Sequence, residues 1–231
     1  RVTSVLILLA IVLSTMMTAA IGQSAGILSA MRQQQAIAIG GDRHAGLVQM
    51  DREQLAALQS DPRLSFAGSY VVLGSMRLDN TLLLGLSEFQ EDVSAIYPSI
   101  SAIKEGRLPQ APMEVALPED VLEYLGFTGS LGETVALPLS KALRHGVITQ
   151  SHDFTADLTL VGITRSNYMG YTAGTVNGIV GPGTAEALLP EEYFYYNVDI
   201  KVADKGSFQS TMDSLVSAMD IHPLDTTYNI L

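Results

Sequence analysis

Between Val2 and Met31 the chain carries no Asp, Glu, Lys, Arg or His. Val5–Leu13 is almost wholly Val, Leu, Ile and Ala, and Met16, Met17, Ala19, Ala20 and Ile21 carry the apolar character further. A helix rises ~1.5 Å per residue, so about 20 apolar residues cross the ~30 Å hydrocarbon core of a bilayer. This stretch is long enough to cross and to project beyond, which predicts a transmembrane helix with a folded domain on one side. Within it Ala10, Ser14, Thr18, Gly22, Gly26 and Ala30 recur every fourth residue. Residues four apart form one ridge on a helix, and a ridge of small residues lets another membrane helix approach closely. The helix is therefore expected to pack against partners.

Two other readings compete for the stretch. In a cleaved signal peptide Arg1 would be the charged start and Ala20-Ile21-Gly22 the cleavage site. The apolar run, however, outlasts the ~7–15-residue core of such peptides, and the chain starts at Arg1 where a signal peptide starts at an initiator Met. Gly22-Gln23-Ser24-Ala25-Gly26 also matches a hydrolase nucleophile elbow. That elbow needs a strand before the serine, and here a long helix precedes Ser24.

Charge is uneven. Residues 1–31 carry +1, residues 32–150 carry −5 and residues 151–231 carry −7, giving the net −11. Nucleic-acid binding calls for a basic patch, and this balance argues against it. The lack of cysteine removes disulfides, Cys-based zinc sites and Cys nucleophiles. Arg1 is the only charge flanking the start of the helix, and the acidic domain beyond the helix is placed outside the cytoplasm.

Along the chain, Gln23–Ile39 continues as a helical stalk that stops at Gly40-Gly41. Ala45–Met50 reads as a strand. Asp51 reads as an N-cap with Gln54 completing a capping box, and Leu55 and Leu58 form the apolar face of its helix. Phe66–Leu73 and Thr81–Leu86 read as a hairpin, and Phe89–Ile96 as a helix. Met113–Leu117 is a strand leading into a helix punctuated by Pro118, Glu119-Asp120 and Gly126. Leu131–Leu139, Phe154–Arg165 and Tyr193–Val202 are strands, Asn167–Gly178 a loop, Thr184–Leu189 and Ser207–Met219 helices. Strands and helices mix without a βαβ rhythm, so the fold class is α+β: an N-terminal transmembrane and stalk helix followed by a mixed α+β extracytoplasmic domain.

No catalytic, cofactor or metal constellation stands out. His44, His145, His152 and His222 show no i, i+4 pairing. Glu119-Asp120 and Glu191-Glu192 sit at helix starts, where acids complement the dipole. Gly181-Pro182-Gly183-Thr184 lacks the lysine and spacing of a phosphate loop and reads as a turn feeding a helix. No cofactor is expected in this chain.

One combination does point somewhere. The apolar helix and stalk are followed by Lys-Glu-Gly-Arg-Leu-Pro (Lys104–Pro109), then Glu114–Leu117, Leu125-Gly126, Leu131–Val135 and a strand bearing Leu-Val-Gly-Ile (Leu160–Ile163). In this order the segments resemble the extracytoplasmic core domain of FtsX-like ABC-transporter permeases of the MacB-like type. Gly106, Arg107, Leu108, Pro109, Gly126 and Gly132 are the structural positions of the resemblance, and none is catalytic. The resemblance implies residues 1–40 as transmembrane helix and stalk, 41–225 as a MacB-like extracytoplasmic core domain, and 226–231 as the start of a connection to a second transmembrane helix. It implies a permease subunit in the plasma (inner) membrane without enzymatic activity of its own. Its partners would be a cytoplasmic ATP-binding subunit and further transmembrane helices of the same permease, in a dimeric assembly. The outer domain would couple ATP hydrolysis to export or mechanotransmission. The competing reading is a membrane-anchored extracellular sensor or binding domain of a receptor.

Overall fold

The computed structural model describes residues 12, 14–17, 27–28, 30–37, 40–91, 93–145, 148–166 and 168–229. The expected transmembrane span therefore lies mostly outside the described residues, as does Ser24. Among the described residues no helix is long and apolar enough to cross a membrane.

The fold is mixed α+β. Among the described residues ten strands form one sheet: β1 (Ala45–Met50), β2 (Leu64–Arg77), β3 (Leu83–Phe89), β4 (Ile103–Gly106), β5 (Glu114–Pro118), β6 (Thr134–His145), β7 (Ile148–Thr164), β8 (Thr175–Val180), β9 (Tyr196–Val202) and β10 (Thr226–Tyr228). Among the described residues from 41 onward the α-helices are α1 (Arg52–Gln59), α2 (Val93–Ile96), α3 (Glu119–Tyr124), α4 (Tyr168–Thr172), α5 (Thr184–Leu188) and α6 (Phe208–Ala218).

The sheet resolves into two lobes that share β2. In the first, β10, β1, β9 and β2 lie side by side, every pair antiparallel. With α1 after β1 and α6 after β9, this is the β-α-β-β-α-β arrangement of ferredoxin-like folds, with residues 78–195 inserted between its second and third strands. Its core joins Ala45, Leu47, Val198 and Ile200 of the strands to Leu55 and Leu58 of α1 and Met212 and Leu215 of α6. The helix faces follow from spacing: apolar residues three apart on both helices present one stripe to the sheet. Asp51 caps α1 as expected. Its side chain accepts from Gln54 N at 2.8 Å, and Gln54 Oε1 accepts from Asp51 N at 3.0 Å. Such a cap stabilises a helix by about 1 kcal/mol.

The inserted residues form the second lobe. The order β2-β3-β8-β5-β7-β6 returns to β2 through one bridge pair, Ser75↔Ser140. Six strands thus close into a ring around the larger core, which holds Leu84 and Leu86 of β3, Val115 and Leu117 of β5, Leu137 of β6 and Leu158 of β7. β2 belongs to both lobes: Leu64–Tyr70 pairs with β9, and Tyr70–Arg77 with β3. The β6–β7 hairpin runs from Thr134↔Thr159 to His145↔Ile148. Its inward positions on β6 are Val135, Leu137, Leu139, Lys141 and Leu143, all buried. Lys141 is thus a lysine at a core position. Its Nζ donates to Val72 O at 2.6 Å, beside the bulge in β2 between Val72 and Gly74. Burial pulls its pKa from 10.5 down to about 8.

The structure differs from the sequence reading in several places, among them the strand expected from Tyr193, which begins only at Tyr196 after a 3-10 turn over Glu191–Tyr193, and the short helix or turn expected over Ile100–Glu105, where β4 begins at Ile103. The helix expected over Phe89–Ile96 is only α2, because Phe89 ends β3. The loop expected over Asn167–Gly178 contains α4 and most of β8, which pairs in parallel with β3. Residues 140–153, for which the sequence pattern suggests no element, are the outer half of the β6–β7 hairpin. Finally, Thr226–Tyr228 is a strand on β1, so the sheet extends past the expected boundary at residue 225. Gly181–Gly183 is indeed a turn feeding α5. The buried Glu88 carboxylate accepts from Gly183 N at 2.9 Å and Ala185 N at 2.7 Å. A side-chain anion thus occupies the helix start that a phosphate would need.

Candidate functional site

Residues 30–37 are helical, and the chain passes through Gly40–His44 before entering β1. This connecting segment is fastened to the preceding helix, to α2 and to the residue just past β10. Gly41 N donates to Ile37 O at 2.9 Å, and Asp42 N donates to Ile96 O of α2 at 2.8 Å. Asn229 Nδ2, just past β10, donates to Gly41 O at 2.9 Å, and Asn229 N to His44 O at 2.9 Å. The strand that ends the described chain and the segment that begins the domain therefore lie against each other, at one end of the first lobe.

A buried polar cluster holds this junction. Arg43 donates to Asp199 Oδ1, and the Tyr97 hydroxyl donates to Asp199 Oδ2 at 2.6 Å. Arg43 Nε also donates to Gly40 O at 2.8 Å. Asp199 stands on β9 between Val198 and Ile200, its side chain 4% exposed. Burial pushes its carboxyl above the usual range, while the Arg43 guanidinium and the Tyr97 hydroxyl pull against that. Burial likewise raises the Tyr97 and Tyr70 phenols, which stay neutral donors. Tyr70 of β2 stacks on Phe89 at 5.3 Å, and Tyr97 meets both rings at 5.5–6.3 Å. Outside the cluster, Lys201 Nζ pairs with Asp42 Oδ2 at 2.7 Å. One carboxylate thus binds the connecting segment (Arg43), the first lobe (Asp199) and the segment after α2 (Tyr97). The arrangement ties the connecting segment firmly to the sheet, because a buried ion pair with its remaining lone pairs satisfied is expensive to break.

A second fastening joins the lobes at the far end of β1. Gln49 Oε1 accepts from Arg144 N at 2.8 Å and Gln49 Nε2 donates to Arg144 O at 2.7 Å. The Arg144 guanidinium reaches Asp225 Oδ1 at 2.6 Å. The outer half of the β6–β7 hairpin is thereby tied to β1 and to the turn before β10.

Of the residues singled out from the sequence, Ser14 and Ala30 are exposed helical positions, and Ala10, Thr18, Gly22 and Gly26 lie outside the described residues. Of the remaining six, Gly106, Arg107 and Gly132 meet at β7. Arg107 N donates to Val161 O at 3.0 Å, and Gly132 N to Leu160 O at 2.7 Å. Gly106 has φ +75°, and a Cβ there would stand 2.3 Å from Val161 O, which only glycine avoids. Leu108 packs on the small core of Val93, Ile100 and Ile179, and Pro109 follows it. Gly126 closes α3: its N–H donates to Glu123 O and that of Phe127 to Leu122 O, the Schellman pattern. Arg107 makes two bonds to Glu114, at 2.8 and 2.6 Å, and Glu114 also accepts from Gln110 N and Ala111 N. Led by the bonds from Arg107, these donors hold the Glu114 carboxyl down at about 2. None of these residues reaches the Arg43–Asp199 cluster. Sequence reasoning missed that cluster, because Asp199 shares the polar parity of β9 with Asn197 and Lys201, opposite to Val198 and Ile200, and nothing local marks it as buried.

The fold is shared with the extracellular domain of an ABC-type transporter. The extracellular domain of the noncanonic ABC-type transporter YknZ from Gram-positive bacteria is similar in structure, with TM-score 0.50 and 9% identity, over 81% of this chain and 99% of that one. At that identity the likeness is one of fold. The periplasmic region of MacB from Actinobacillus actinomycetemcomitans aligns with TM-score 0.47 and 12% identity, over 82% of this chain and 89% of the other. No family model and no curated protein matches the sequence.

Proposed function

We propose that this chain is the permease subunit of an ABC transporter, anchored in the plasma membrane by residues 1–40, with its main domain extracytoplasmic. A separate cytoplasmic subunit binds and hydrolyses ATP. Further transmembrane helices of the permease pack on the ridge of Ala10, Ser14, Thr18, Gly22, Gly26 and Ala30, in a dimeric assembly. The outer domain carries the resulting motion to a substrate or envelope partner, and the chain catalyses nothing itself. One observation carries this reading: the connecting segment after the helix is bonded to Asn229, just past the last strand, and through Arg43 to Asp199, in a fold shared with an ABC-transporter extracellular domain. A displacement of the helix would enter the sheet through Arg43.

The test has two arms. Affinity purification of the protein from native membranes should bring down a P-loop ATPase in stoichiometric amount; recovery of a signalling kinase or cyclase would favour the sensor reading and overturn this one. In the purified complex, spin labels at Gln34→Cys and Ser210→Cys (the chain has no native cysteine) should report a distance change on ATP binding. Asp199→Ala should abolish that change while ATP hydrolysis persists. An unchanged response in Asp199→Ala would remove the junction from the mechanism.

A further inference from the structure

Next to the junction, a cavity of about 440 Å³ opens between the end of β9, the start of α6 and the end of β10. Its walls are mainly apolar and aromatic. Phe208 meets the His44 ring edge-on at 6.4 Å and the Tyr228 ring edge-on at 6.0 Å, with Val202 behind them. Tyr228 is 50% exposed, so one wall of the box is open to solvent. Volume and lining are those of a small-molecule site.

Among the described residues that line the cavity, Lys205 is the one charged side chain. Among the described residues no carboxylate pairs with the Lys205 ammonium, and the neighbouring Asp204 turns Oδ1 to Gly206 N at 2.9 Å. His44 Nδ1 accepts from Val202 N at 3.0 Å, so the neutral ring carries its proton on Nε2. Burial, then Lys205 and Lys201, lower the His44 pKa, outweighing Asp42, so the ring stays a neutral donor. Phe208 and Gln209 belong to the first turn of α6. A 3-10 turn, Lys205–Ser207, capped by Asp204, runs directly into that helix, and Phe208 N donates to Lys205 O, so the start of α6 is already satisfied and leaves the Lys205 ammonium as the cationic group of the cavity. Among the described residues no acidic side chain lines the cavity, although the chain as a whole carries −11.

We propose that this cavity binds a small amphipathic monoanion, an aryl or short-alkyl carboxylate. Its apolar body lies among His44, Phe208 and Tyr228, and its carboxylate meets Lys205. The aromatic walls favour a flat ring in edge-to-face contact, and the lone ammonium selects against neutral and cationic analogues of the same shape.

The probe is 2-naphthoate, with the isosteric neutral 2-naphthamide as control. Both are titrated into the whole chain held in amphipol, followed by calorimetry and by the His44 imidazole resonances. Naphthoate should bind saturably, shift those resonances, and bind about fivefold more tightly than the amide, the scale of one exposed charge pair. Lys205→Gln, an exposed change that leaves the core untouched, should erase the preference between the two probes. Phe208→Leu should weaken both. Three results would each overturn the proposal: no saturation by naphthoate in the millimolar range, equal affinity for the two probes in the wild type, or a preference that survives Lys205→Gln.

Discussion

Replacing Lys141 by methionine should make the protein more stable. Lys141 is 7% exposed and has one hydrogen-bond partner, the carbonyl of Val72. Its fall from 10.5 to about 8 reflects burial alone. A tenfold change in proton affinity is ~1.4 kcal/mol, so the folded protein carries a cost of ~3 kcal/mol while the lysine is charged. Methionine follows the same unbranched path without the charge. It forfeits the bond to Val72 O, about 1 kcal/mol, which leaves a net gain of ~1–2 kcal/mol at pH 7. The sign with pH comes from linkage. Below pH 8 both folded and unfolded chains hold the proton, and the cost is fully present. Between about 8 and 10.5 the unfolded chain binds the proton more tightly than the folded one, so this group makes stability rise with pH. Urea unfolding at pH 7 and pH 10, followed by far-UV circular dichroism, should show Lys141→Met ahead at pH 7 and its lead shrinking toward pH 10. The titrations of the other lysines and the tyrosines are common to both proteins and cancel in the difference. A loss of more than about 1 kcal/mol in Lys141→Met at pH 7, with the same pH slope as the wild type, would refute the reasoning. The ammonium would then be holding the β2–β6 seam, which otherwise closes through a single bridge pair.

Other perturbations bear on the junction and on the Gly106–Val135 segments. Arg43→Met strands the buried Asp199 carboxylate and should cost ~3–5 kcal/mol, whereas Tyr97→Phe removes one hydrogen bond and should cost about 1 kcal/mol, both read from urea midpoints. Gly106→Ala combines φ +75° with a Cβ 2.3 Å from Val161 O, while Gly126→Ala meets only φ +63° with nothing within 4 Å; the first should destabilise by clearly more than the ~1 kcal/mol expected of the second. Glu114 contributes stability that is complete above its ordinary value of 4.5 and disappears as pH falls toward 2. Glu114→Gln should therefore lower Tm by roughly 2–4 °C at pH 7 and flatten the thermal stability profile between pH 4.5 and 2.

How far the sequence made these features legible depended on the range of the interaction responsible. The Asp51–Gln54 box, the Gly126 ending of α3 and the apolar stripes of α1 and α6 are set by residues within a turn or two of each other. Local chemistry decides them, and each could be read from spacing. Residues 140–153 could not be read that way. Lys141, Arg144, Gln150, His152 and Asp153 interrupt the apolar alternation, and those positions become strand only because β6 and β7 pair along their whole length. β8 hid for a related reason. Thr175, Asn177 and Gly178 favour loops locally, and a parallel partner 92 residues earlier, as in Leu83↔Thr175, makes them a strand.

By itself, the sequence determined the charge-free run of residues 2–31, the acidic character of residues 32–231 and the α+β alternation, because composition and short-range periodicity suffice for these. The order of segments from Gly106 to Val135 also carried the resemblance to ABC permeases. Only the tertiary structure decided that the domain is a ferredoxin-like lobe with a six-stranded ring inserted in it and β2 shared between them. It alone brought Arg43, Tyr97 and Asp199 onto one carboxylate, and His44, Phe208 and Tyr228 around one cavity. Arg43 and Asp199 are 156 residues apart in the chain, and His44 and Tyr228 are 184 apart. Their meeting depends on strand register and on which strands become neighbours, and no local preference encodes either.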